Sequence, residues 1–152
     1  MIAIGSDAPQ FVLSDQDGNE VSLASLLADG AFLLYFYPAD FTPGCTREAC
    51  SLRDMHDDIV NSGLRVVGIS PQDSDSHRRF ATEHELPFTL LADPDKQAVH
   101  AYDVDGPLGF GVRRASFLID AEGKIADAIQ ADFMIAKHEA FFRRVMATAA
   151  QE

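Results

Sequence analysis

The chain carries two cysteines, Cys45 and Cys50, and both fall in one segment, Tyr37-Pro38-Ala39-Asp40-Phe41-Thr42-Pro43-Gly44-Cys45-Thr46-Arg47-Glu48-Ala49-Cys50. The segment follows an apolar run and opens a helical pattern, in which Thr42 suits the N-cap and Pro43 the first helical position. Cys45 then lies in the first turn, where unsatisfied backbone N–H groups favour an anion. That field is worth ~0.3–1 kcal/mol at an exposed site and up to ~2 when partly buried. One pKa unit is ~1.36 kcal/mol, so the helix alone lowers a thiol from ~8.5 by about a unit. A nearby arginine adds a further ~1–3 units, which would leave Cys45 largely ionised at neutral pH. Lowering a thiol's pKa also lowers its intrinsic nucleophilicity, so a fast reaction needs donors aimed at the transition state. Thr42 offers a hydroxyl three residues upstream, Gly44 allows close approach to the backbone, and Pro38 can wall off water. These parts suit a small neutral molecule whose polar bond breaks as sulfur attacks. A peroxide O–O bond fits, with a sulfenic acid formed on Cys45.

Cys50 follows five residues later. On an ideal helix that is ~140° around the axis, ~7.5 Å along it and ~8.7 Å between Cα atoms. A disulfide spans ~4.4–6.8 Å. Either the two never bond, or the helix unwinds during turnover, which requires low local stability over residues 43–52.

The elements that must position these thiols are legible as alternating apolar and amphipathic stretches. Phe11–Leu13 reads as a strand, Asp15–Asn19 as a turn, and Val21 as the start of a return strand. A short helix over Ser22–Ala28 precedes Ala31–Tyr37, which is apolar throughout, like a strand buried on both faces. After Thr42, the residues Ala49, Leu52, His56 and Ile59 keep helical spacing up to Gly63. Leu64–Ile69 is a strand. Ser74 or Asp75 caps a helix bearing His77, Phe80, Ala81 and His84. Phe88–Leu91 is a strand and Lys96–Tyr102 a short helix. Ala115–Ile119 and Ile125–Ile129 form a hairpin, and the last helix runs from about Ile135 with Phe142, Val145, Met146 and Ala149 on one stripe. The fold class is α/β: one domain over residues 1–152, with a mixed central sheet, helices on both faces, and an order compatible with a thioredoxin-like architecture.

Composition sets the outer bounds. A chain of 152 residues, 47% hydrophobic and 24% charged, has the balance of an ordinary globule. Its net charge of −12 opposes nucleic-acid or anionic-membrane partners. The longest apolar run, Ala31–Tyr37, is far below the ~20 residues of a membrane span. The N-terminal residues lack the features of a signal peptide. The expected location is the cytoplasm, where a sparse pair of cysteines is more often catalytic or redox-sensing than structural.

Pro38-x-x-x-Thr42-x-x-Cys45 resembles the active-site signature of the peroxiredoxins. Thr42-Pro-Gly-Cys-Thr-x-Glu-Ala-Cys50 resembles that of the peroxiredoxin Q subgroup, also called bacterioferritin comigratory protein. The similarity extends through Val67–Pro71, Leu86–Phe88, Leu90–Pro94 and Arg114–Asp120. The resemblance implies a thioredoxin fold and reduction of hydrogen peroxide and organic hydroperoxides. It implies Cys45 as the peroxidatic and Cys50 as the resolving residue, with no metal, haem or flavin. Thr42 would hydrogen-bond in the peroxide site, and Arg114 would support the thiolate. Arg113 would point to the opposite face, so that assignment depends on register. A thioredoxin-like dithiol protein would supply electrons, and the subgroup implies a monomer. Ala39 departs from the Lys common in the family, which alters local charge.

Plainer readings stand beside these. Cys45 shares the Ala49–Leu52 stripe and could be a core thiol, Cys50 a small helix residue, and Arg114 a surface strand residue. His77 and His84 lie two turns apart, a poor spacing for one metal, and read as boundary histidines. Two cysteines without clustered histidines do not make a zinc site. Asp15-x-Asp17-Gly18 is half a calcium loop with no closing Glu, and reads as a turn. Gly106–Gly111 reads as a flexible loop, and Phe141, Phe142 and Met146 as core. The rival functions are a thiol–disulfide oxidoreductase, which prefers Cys-x-x-Cys, a non-catalytic thiol redox switch, and a structural metal module.

Overall fold

The structure, a computed structural model, describes residues 1–150. Its elements are β1 (Val12–Asp15), β2 (Glu20–Ser22), α1 (Leu23–Leu27), β3 (Phe32–Phe36), α2 (Pro43–Asp54), α3 (His56–Asn61), β4 (Val66–Ser70), α4 (Ser74–Glu83), β5 (Thr89–Ala92), α5 (Gln97–Ala101), β6 (Ala115–Ile119), β7 (Ile125–Gln130) and α6 (Ile135–Ala150). The strands form one seven-stranded sheet in the order β2-β1-β5-β4-β3-β6-β7. β3 pairs parallel with β4, and β4 with β5, because helices carry the chain between them. The β1–β2 and β6–β7 hairpins are antiparallel, as is β3 with β6.

Period-two alternation along β3 explains why its residues are all apolar. Phe32, Leu34 and Phe36 enter one core with Leu23 and Leu26 of α1 and Ala98 and Val99 of α5. Leu33, Tyr35 and Tyr37 enter the other core, with Ala49 and Leu52 of α2, Ile59 of α3, Phe80 of α4, and Phe141 and Phe142 of α6. Helices thus cover both faces of the mixed sheet. None of the helices is long and apolar enough to cross a membrane among the described residues.

The differences from the sequence reading have local causes. The single helix expected from Thr42 to Gly63 is two, divided at Met55 (φ −90°, ψ −1°). The break turns Met55 into the core in place of His56, which remains half-buried. Helix α4 is capped by Asp73, not Ser74 or Asp75; its carboxylate accepts from Ser76 N at 2.8 Å. Gly106–Gly111 is not an open loop: Gly106 N donates to Gly111 O at 3.1 Å, and a Cβ on Gly106 would meet Phe110 O at 1.9 Å.

Candidate active site

Helix α2 begins where β3 ends, at the carboxyl edge of the sheet's centre, and Cys45 sits in its first turn, only 2% exposed. Thr42 occupies the N-cap position, yet its hydroxyl makes no capping bond; it donates instead to Ala39 O at 2.9 Å. Arg114, immediately before β6, reaches across beside β3. Its Nη2 donates to Cys45 Sγ at 3.3 Å and its Nη1 to Glu48 Oε1 at 2.7 Å. Arg113 turns away to Asp132, at 3.1 Å, and the same carboxylate accepts from Arg114 N at 3.0 Å. Gly44 makes this approach possible, since a Cβ there would lie 3.2 Å from Arg114 Nη2. The space beside Gly44 that the sequence reserves for a ligand is thus shared with the guanidinium.

One buried cation therefore serves two partners, a carboxyl and a sulfur. Burial pushes the Glu48 carboxyl up to about 7, against the pull of Arg114. Burial works against the charge on Arg114 too, but Glu48 and Cys45 outweigh it and hold the guanidinium firmly protonated. Behind Glu48 lies His138 of α6, fully buried, its Nδ1 3.6 Å from Glu48 Oε2. His138 Nδ1 accepts from Ser116 Oγ at 2.9 Å and Nε2 donates to Ala131 O at 2.9 Å, which fixes a neutral tautomer. Its pKa is lowered, chiefly by burial. The Tyr35 ring lies below, and burial followed by the charges of Glu48 and Cys45 keeps its phenol protonated.

A second buried cluster holds the loop between β3 and α2. Asp40 accepts from Tyr37 Oη at 2.6 Å, Ser76 Oγ at 2.8 Å and His77 Nδ1 at 2.7 Å. The other ring nitrogen of His77 faces Leu91 O at 3.0 Å, so each nitrogen of the buried ring has an oxygen partner. Burial alone would raise the Asp40 pKa, but its bond to His77 and that residue's charge win and lower it. Asp40 N donates to Gln72 Oε1 at 3.0 Å, and Gln72 Nε2 to Pro38 O at 3.3 Å. His77 is thus a core residue of the clasp, not a boundary one.

A cavity of about 690 Å³ is lined by Pro38, Thr42, Gly44 and Arg114, together with Phe110 and Phe133; Cys45 is not part of this lining and adjoins it through its contact with Arg114. Cys45 and Cys50 are both free thiols. Cys50 is half-buried on the far side of α2, against His84. No three His, Cys, Asp or Glu side chains converge on a metal position among the described residues.

The structure brings Pro38, Thr42 and Arg114 together on the cavity wall, holds Cys45 against Arg114, and leaves Cys50 apart from them, beside His84. Sequence reasoning missed Glu48, Asp40, His77 and His138. Glu48 had a visible signal, since three residues after Cys45 it shares the buried face of α2 with Ala49 and Leu52. The others did not, because their partners are distant in sequence.

Residues 4–128 match the AhpC/TSA family. The chain belongs to the peroxiredoxins of that family. It is 43% identical over 140 residues to peroxiredoxin Bcp of Escherichia coli strain K12, covering 88% of each chain. Its structure superposes on peroxidoxin BcpB of Mycobacterium tuberculosis with a TM-score of 0.85 and 33% identity, covering 95% of this chain and 98% of that one. It superposes with a TM-score of 0.83 and 28% identity on the Xanthomonas campestris bacterioferritin comigratory protein, covering 91% of this chain and 92% of that one. That protein was crystallised as trapped intermediate and ligand complexes bearing on its alkyl peroxide reduction. Like its relatives, this peroxiredoxin has the thioredoxin-like fold and is a thiol peroxidase.

Proposed function

We propose that Cys45 is the peroxidatic residue for hydrogen peroxide and organic hydroperoxides, and that Cys50 resolves it. The observation that carries this is the 3.3 Å contact from Arg114 Nη2 to a buried Cys45 Sγ in the first turn of α2. The Cys45 thiolate attacks the terminal peroxide oxygen. An S–O bond forms as O–O breaks, and the departing alkoxide or hydroxide takes up a proton. Arg114, the α2 N-terminus and the Thr42 hydroxyl face charge that moves from sulfur to oxygen. For Thr42 to act, its hydroxyl must turn from Ala39 O to the substrate. Pro38 shields the sulfur from water. The apolar lining of the cavity, with Phe133 97% exposed, supports acceptance of an organic group on the peroxide, in line with the alkyl peroxide reduction of the Xanthomonas campestris relative.

Cys50 then attacks the sulfenic acid to close an intramolecular disulfide, and a thioredoxin-like dithiol protein reopens it. The chain works as a cytoplasmic monomer without metal or organic cofactor. Mass spectrometry after one equivalent of hydrogen peroxide tests the assignment. Cys45→Ser abolishes turnover. Cys50→Ser consumes about one equivalent and then drifts to sulfinic acid. Arg114→Ala removes the contact to Cys45 Sγ and slows the first attack, read by stopped-flow mixing with peroxide. Turnover in Cys45→Ser, or steady turnover in Cys50→Ser with a dithiol protein donor, would remove that cysteine from the mechanism.

A further inference from the structure

We propose that His84 is the base that ionises Cys50 for disulfide closure, a step that rests on the resolving role given to Cys50 above. His84 Nδ1 lies 3.8 Å from Cys50 Sγ, within hydrogen-bonding distance of a sulfur. The ring is held there from two sides. Its face meets the Phe80 ring edge-on, with centroids 5.1 Å apart. Its own carbonyl accepts from Arg53 Nη1 at 2.8 Å, which ties the C-terminal end of α4 to α2 one turn beyond Cys50. Arg53, which holds the His84 carbonyl, is itself bonded to Asp54 Oδ1 at 3.1 Å. That bond is the first to steady its guanidinium. Cys50 thus has a proton acceptor in contact and a cation nearby.

The anchoring decides which end of α2 moves. Leu52 is fully buried and Arg53 is tied to His84, so the C-terminal half of the helix stays docked. The first turn has no side-chain cap, and Phe41 before it sits in the left-handed region at φ 65°. Unwinding therefore starts at Thr42 and carries Cys45 to a Cys50 still beside His84. The neutral ring, with its proton on Nε2, takes the Cys50 thiol proton at Nδ1. The thiolate attacks the Cys45 sulfur of the sulfenic acid, S–S forms and S–O breaks. The hydroxide that leaves recovers the proton from the imidazolium and departs as water. No outside oxidant or reductant enters this step.

A free thiol with an ordinary pKa of ~8.5 is only a few per cent ionised at neutral pH, so a base in contact speeds closure by about tenfold. The experiment mixes reduced protein with one equivalent of hydrogen peroxide, quenches with an alkylating agent at intervals, and counts the Cys45–Cys50 disulfide by mass spectrometry, timed from the sulfenic acid. His84→Phe keeps the ring on Phe80, and His84→Asn keeps an acceptor near the Nδ1 position. Both are expected to close about tenfold more slowly, and added imidazole to restore the rate in both while leaving the wild type unchanged. Closure at the wild-type rate in both variants, or slow closure that imidazole does not restore, overturns the role of His84 while Cys50 keeps its own. A wild-type protein that forms no Cys45–Cys50 disulfide overturns the resolving role itself, and the base with it.

Discussion

At the scale of single residues, the site is a charge-sharing problem. Arg114 faces Cys45 and Glu48 together in a buried setting. A carboxyl raised from 4.5 to about 7 by burial holds its proton in the folded state after the unfolded chain has released it. Its contribution to stability is therefore full below 4.5 and is lost as pH rises through about 7. Glu48→Gln removes that component, so its denaturation midpoint varies less than wild type between pH 4.5 and about 7, as urea melts across that range will show. Glu48 was legible as an acidic residue on a buried stripe. Its ties were not, because Arg114 lies 66 positions away and neither partner's neighbours signal the other. His138 was hidden in the same way, behind a fold that brings α6 across α2.

At the scale of elements, the loop 38–42 and α2 are held from opposite ends. The Asp40–His77 clasp fixes the loop to α4 and to the edge of β5. Asp40→Ala breaks this buried pair and leaves Tyr37, Ser76 and His77 without their shared acceptor, a change that typically costs ~3–5 kcal/mol. It should lower the chemical-denaturation stability by about that amount and raise hydrogen exchange over residues 38–46. Wild-type exchange in that segment would show that the clasp does not control it. The start of α2 was readable from Thr42-Pro43 and its apolar spacing. Its end was not: the Ala49, Leu52, His56, Ile59 pattern runs straight through Met55, and only burial of the Met55 side chain reveals the break. The cap of α4 was misplaced by one or two residues because Asp73, Ser74 and Asp75 are all good caps, and tertiary contacts choose among them.

At the scale of the whole molecule, the sheet's centre carries the site. The parallel crossovers, the two hairpins and the doubly buried β3 were all legible, since long apolar runs and strong turns survive without tertiary context. Close packing between strands was not. Gly68 on β4 lies against the Tyr35 ring, where a Cβ would meet Tyr35 Cε1 at 2.8 Å and Leu90 Cδ2 at 2.9 Å. Gly68→Ala therefore displaces the Tyr35 ring or the Leu90 side chain, in the same core cluster that holds Cys45. It should cost about 1–3 kcal/mol of stability by overpacking and slow the reaction with peroxide, measured by denaturation and by stopped-flow mixing; a variant as stable and as fast as wild type would show that the ring has room to move.

The distance in sequence between the sulfur and its guanidinium has a consequence for biosynthesis. Arg114 is translated 69 residues after Cys45. At about 5–20 residues per second, a growing chain spends roughly 3–14 s with the cysteine made and its arginine not yet added. During that interval the sulfur has no guanidinium partner. The ribosome thus completes the contact only once the segment leading into β6 has been delivered.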